Sequence, residues 1–205
     1  MANTIKRGNE IPTIDVAMIS IREKSENDVT EYILDTANKL GVNVQTETED
    51  SVKLVVKGRL IAQKPEEVTI TGHTLVLTDN VFIPEVVQLL QGGTIKYWGE
   101  AAHTTKVDAD AGFGVASYAP PVAGSREKGK ICELRAYSAI YNAAGIITGY
   151  ERITYPNCTG TPIALESEDG VFRASEYTIY SAPDTGEAPY EIDYIKPTEL
   201  PVESA

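Results

Sequence analysis

Residues 131–155 read ICELRAYSAIYNAAGIITGYERITY. Two runs rich in β-branched and aromatic side chains, Ile131 to Ile140 and Ile146 to Tyr155, flank Asn142-Ala143-Ala144-Gly145, whose Asn and Gly tolerate a positive φ. Strands joined by so short a link must be antiparallel neighbours. The same grammar recurs outward from this stretch. Period-two alternation marks Ile14 to Met18, Val52 to Val56, Val68 to Ile70 and Leu75 to Leu77, and later Glu176 to Tyr180 and Tyr190 to Ile195. Turn chemistry at Glu168-Asp169-Gly170 and Pro183-Asp184-Thr185-Gly186 separates the later ones. Eleven Tyr against one Trp and three Phe suit half-buried pleated surfaces. The expected fold is mainly β, an antiparallel β-sandwich or barrel with a short flanking helix, in one domain over residues 1–205.

That helix is signalled at Pro84, a residue suited to the first helical position. Val86, Val87, Leu89 and Leu90 then form an apolar stripe, and Gly92-Gly93 stops the chain. At about two turns it cannot stand alone and must pack on a sheet. Residues 28–37 are ambiguous, because Asp28 and Glu31 have capping-box spacing while Thr30, Thr36 and Asn38 oppose a helix. Residues 39–46 read as a strand. Residues 101–130 lack strong periodicity and carry Ala119-Pro120-Pro121 and Gly124-Ser125, so an extended loop is expected there, with Arg126, Glu127 and Lys128 as candidate assembly contacts. Residues 1–12 and 196–205 read as terminal arms.

The chain has 205 residues, 42% hydrophobic and 23% charged, enough for a substantial core. Its formal charge is −12, and by segment the balance is −5 over 1–50, 0 over 51–100, +1 over 101–150 and −8 over 151–205. Such a balance works against a module that must grip phosphates. No stretch approaches the roughly 18 apolar residues of a membrane span, and no secretion signal opens the chain, so a soluble protein is expected. Two cysteines, Cys132 and Cys158, make neither a disulfide framework nor a zinc site by themselves. They read as small buried apolar residues in a protein made in a reducing cytosol.

Chemical motifs are sparse. Gly124-Ser125-Arg126-Glu127-Lys128-Gly129-Lys130 matches seven positions of a phosphate-cradling loop, but the eighth is Ile131 and a strand follows where a helix is needed. A basic turn is the ordinary reading. His73 is placed in a Thr71-Gly72-His73 turn, at the surface. His103 with Asp108 and Asp110 has oxygen ligands for a hard cation at a spacing that matches no recognised loop. Glu166, Glu168 and Asp169 cluster at a turn rather than facing one another as a glycosidase pair. No catalytic, cofactor or metal residues are assigned, and an enzyme is not expected. A carbohydrate-binding β-sandwich is the rival reading, since tyrosines stack on sugars, although Trp98 is the single Trp.

The stretch from Thr69 through the Asp79-Asn80 turn and Pro84-Glu85 to Gly92-Gly93 resembles the major tail tube proteins of long-tailed, non-contractile bacteriophages of Gram-positive hosts. Ala144 to Tyr150, Ile153 to Cys158, Phe172 to Ser181 and Pro183 to Tyr194 are similar too, in the expected order. The resemblance implies a β-sandwich whose six copies form a ring, with rings stacked into a hollow tube through loops and arms. It also implies tail tip or baseplate, tape measure and tail terminator proteins as partners, a place in the virion after synthesis in the host cytoplasm, and no cofactor. Genome DNA would pass through an acidic conduit without specific binding; the tube of a contractile injection device is the neighbouring possibility.

Overall fold

The computed structural model describes residues 11–24, 30–97, 114–165, 168–170 and 173–201. Residues 1–10 of the expected N-terminal arm, and Trp98, His103, Asp108, Asp110 and Glu166, lie outside them. The described chain is mainly antiparallel β with one short α-helix. Its elements are β1 (Thr13–Glu23), β2 (Glu31–Leu34), β3 (Ala37–Glu49), β4 (Val52–Val56), β5 (Arg59–Lys64), β6 (Glu67–Asp79), α1 (Pro84–Gln91), β7 (Thr94–Tyr97), β8 (Val115–Ala119), β9 (Cys132–Tyr141), β10 (Ile147–Gly160), β11 (Ser175–Ser181), β12 (Glu191–Ile195) and a 3-10 turn at Pro197–Glu199.

One sheet runs in the order β2-β1-β9-β10-β11-β6-β3, with β12 also paired to β10; β4-β5 and β7-β8 are separate two-stranded ribbons. The β9-β10 hairpin is tied at its turn by Asn142, whose Oδ1 accepts the backbone N–H groups of Ala144 at 2.9 Å and Ile146 at 3.0 Å. β2 and β3 lie at opposite ends of this order, yet only Asp35 and Thr36 separate them. Two residues span at most about 7 Å, so the sheet rolls until its ends nearly meet. Thr36 holds that closure by donating from Oγ1 to Asp79 Oδ1 at 2.5 Å, while Asn38 Nδ2 donates to Asn80 Oδ1 at 3.0 Å. The ambiguous residues 30–37 are therefore strand and turn, because pairing with β1 outweighs a weak helix start.

The rolled sheet encloses Ile19, Ile21, Leu34, Leu75, Leu77, Leu134, Tyr177 and Ile179, all fully buried. α1 plugs this core with Val86, Val87, Leu89 and Leu90, and ends at Gly92, whose φ of 85° lies in the left-handed region. No side chain caps its N-terminus; Pro84 occupies the first turn and the Val87 N–H bonds to Ile83 O at 3.1 Å. Cys132 and Cys158 face each other across β9 and β10, both buried and not joined by a disulfide. The two alternating runs at 68–70 and 75–77 are one uninterrupted strand, β6, and the turn expected between them does not exist.

Candidate assembly surfaces

Of the loop expected at 101–130, residues 101–113 lie outside the described residues, and the remainder holds a strand. Val115–Ala119 is β8, paired with β7 through Ile95↔Tyr118 and Lys96↔Ser117. Tyr118 Oη donates to Gly92 O at 2.8 Å, and Gln91 Nε2 donates to Tyr118 Oη at 2.6 Å. Gln91 also accepts the Ile163 N–H on Oε1 at 2.9 Å, so one glutamine fastens the helix end to two neighbouring segments. The basic turn follows. Glu127 Oε1 accepts the Gly93 N–H at 3.0 Å, the Lys130 N–H bonds to Leu89 O at 2.8 Å, and Lys130 Nζ pairs with Glu23 at 2.7 Å. Glu127 thus holds the helix end, while Arg126 and Lys128 are exposed. A strand follows the turn, so no helix N-terminus is aimed at a phosphate there. A cavity of about 180 Å³ beside it is lined by Glu23, Tyr32, Glu85, Gln88, Lys128 and Lys130 among others.

His73 is not in a surface turn. It is 1% exposed in the middle of β6, with its ring edge-on to Tyr155 at 5.4 Å and to Tyr190 at 5.5 Å. Burial pushes its pKa below the ordinary value, and its Nδ1 has no hydrogen-bond partner among the described residues. Gly72 beside it looked like a turn residue. It is instead a point of close approach: a Cβ there would collide with the Ser181 carbonyl on β11. Burial also raises the pKa of Cys132 and takes Cys158 to about 12, which removes thiolate character from both. Among the described residues no group of three or more His, Cys, Asp or Glu could hold a metal ion, and no helix is long and apolar enough to cross a membrane. Tyr137, Tyr155 and Tyr177 are core residues and unavailable to stack on a sugar.

What the sheet does leave at the surface is edges. Among the described residues, β2, β3 and β12 each have one unpaired side. β11 and β12 follow one track along β10, since Ser181 opposes Cys158 and Glu191 opposes Thr154, with residues 182–190 looping out between. β6 does not stay beside that track. Past His73 it bulges near Thr71, pairs only with β3, and leaves the body as a two-stranded arm that β4 and β5 extend. The sheet thus forks, and among the described residues β12 and the outer part of β6 each keep a free edge. The alternation of a core strand continues into the arm without a core to cover it: Val42 and Val44 before the fork, and Ile70 and Val68 beyond it, share the face of Leu75 and Leu77 but are 41 to 61% exposed. Sequence reading missed this, because Val52 to Val56 alternates like any buried strand.

No family model and no curated protein sequence matches the chain. Among solved structures it is similar to a chain of the sheath–tube complex of an extracellular contractile injection system, PVC, in its extended state, at 10% identity and a TM-score of 0.43 over 91% of this chain and 92% of that one. A chain of the anti-feeding prophage tube-terminating cap gives 11% identity and a TM-score of 0.39 over 93% and 95%. One from the baseplate of the same prophage gives 6% and 0.35 over 94% and 98%. The fold assignment rests on the strand pairing, not on these likenesses.

Proposed function

We propose that the chain is a structural subunit of a phage-tail-like tube, assembling with copies of itself into stacked rings around a hollow channel. The observation that carries this reading is the unfinished surface: open strand edges and an arm of uncovered aliphatic side chains on a domain whose own core is complete. A monomer in that state invites edge pairing and aggregation, and symmetric assembly is the ordinary way to satisfy it. The sequence resemblance over Thr69 to Gly93 adds the ring of six and the passage of DNA. It points to a non-contractile tail, and the tube subunit is the reading proposed. A charge of −12 per copy suits a lining that repels phosphates and lets a polyanion pass.

Electron microscopy and sedimentation of the concentrated protein test the reading. Tubes of stacked rings are expected, with no measurable affinity for double-stranded DNA near about 0.15 M salt. Monodisperse monomer at all concentrations refutes assembly. Micromolar, salt-sensitive DNA binding by intact tubes refutes the passive channel.

A further inference from the structure

The arm ends in a ribbon whose charge is opposite to that of the rest of the molecule. Residues 51–65 carry Lys53, Lys57, Arg59 and Lys64 and no acid, so this tip is +4 on a chain of −12. The zero balance over residues 51–100 conceals it. Lys64 is held by Glu49 at 2.7 Å and by Glu67 at 3.6 Å, whereas Lys53, Lys57 and Arg59 make no ion pair among the described residues. Lys57 and Gly58 have φ of 48° and 78°, so a tight two-residue turn closes the ribbon and holds Val56 opposite Arg59.

The ribbon is also apolar on both faces. Val52 and Leu54 lie on one side, Val55 and Leu60 on the other, and every large aliphatic residue from Val52 to Ile61 is 48 to 66% exposed. A two-stranded ribbon has no second layer in which to bury them and is marginal by itself in water. Its complement exists on the same chain. Residues 182–201 hold five acids against Lys196 alone, a local balance of −4. Here Tyr190, Ile192 and Tyr194 are 40 to 55% exposed, beside a shallow cavity of about 330 Å³ lined by Pro156, Tyr190 and Glu191. Among the described residues, Glu191 makes no ion pair and β12 has a free edge. The tip cannot reach this patch within one chain. The arm leaves the sheet at the fork and runs on for about 12 residues, some 40 Å at strand rise, so folding back would break the β3-β6 ladder.

Resting on the tube reading above, we propose that the β4-β5 tip of one copy docks on the acidic, tyrosine-bearing surface around β12 of a second copy. Lys53, Lys57 and Arg59 meet the carboxylates of the 182–201 segment, and the aliphatic faces cover Tyr190, Ile192 and Tyr194. Tip and acceptor are different surfaces, so the contact is head-to-tail and propagates from copy to copy. Charge opposition steers the encounter and fixes its register, while the buried apolar area holds it.

The test uses the full chain. The variant Lys53→Glu/Lys57→Glu/Arg59→Glu changes only exposed side chains, so its circular dichroism and urea midpoint should match wild type. The concentration at which it assembles, read by sedimentation velocity and microscopy, should rise at least about tenfold. Adding Asp184→Lys/Glu191→Lys to the same chain reverses the acceptor and should restore assembly. If wild type assembles and the triple variant assembles equally well, this inference falls and the tube reading stands. Loss of assembly that the acceptor reversal does not restore also overturns it, because the tip would then dock elsewhere. A tip reversal that abolishes binding to phosphatidylglycerol vesicles but leaves assembly intact assigns the tip to a membrane and overturns it likewise. Wild type that remains monomeric overturns the tube reading, and this one with it.

Discussion

Replacing Leu90 with alanine should cost about 3 to 4 kcal/mol of stability, the upper part of the range of about 2 to 5 for buried leucines. The position sets the magnitude. Leu90 is 1% exposed at the last turn of α1, and the helix end is wedged against the backbones of Gly129 and Gly160, where a Cβ on either would collide with the Leu90 carbonyl or Cβ. Backbone held by the Lys130 N–H to Leu89 O bond cannot slump into a cavity as a flexible side chain would, so little of the lost contact is recovered. With a urea slope of about 2.5 kcal/mol/M, the unfolding midpoint should fall by about 1.2 to 1.6 M at an unchanged slope, measured by fluorescence below the assembly concentration. Val122→Ala, at a site 79% exposed, is the control and should shift stability by less than about 0.5 kcal/mol. Leu90→Asp puts an unpaired carboxylate in the same place and should leave no folded, assembly-competent protein. A Leu90→Ala loss below about 1 kcal/mol would show that α1 does not plug the core as described.

Other consequences follow from buried and paired groups. The His73 pKa is lowered in the folded chain, so on acidification the unfolded chain takes up its proton first; stability should fall as pH drops below about 6.5, and His73→Leu should flatten that part of the profile in urea titrations. Cys132 and Cys158 should resist a disulfide reagent in the native state and release two thiols in urea; rapid native reaction would contradict their burial. Arg152 and Asp193 pair at 2.7 Å between β10 and β12, each about a third exposed, so Asp193→Asn should cost no more than about 1 kcal/mol yet speed amide exchange along β12. Unchanged exchange would mean that backbone pairing alone holds that strand.

The residues that could be read in advance are those whose pattern is local. Ile131 to Tyr155 with its Asn142 turn, and Pro84 to Gly92 with its cap residues, declare strand, hairpin and helix through spacing and backbone preference, which neighbouring positions along the chain settle among themselves. Burial is not local in that sense. His73 beside a glycine looked like a surface turn because only the approach of β11 explains Gly72, and that partner lies over 100 residues away. Residues 31–34 became strand only when β1 was available to pair. Val52 to Val56 alternates as a core strand does, yet stands in solvent, since nothing in its own sequence says whether a second layer will be there. Sequence by itself determined the antiparallel β class, the helix and the sign of the net charge. Tertiary structure alone decided which alternating strands enclose a core and which form an arm, because that depends on where the rolled sheet ends meet and on the fork at which β6 parts from β12.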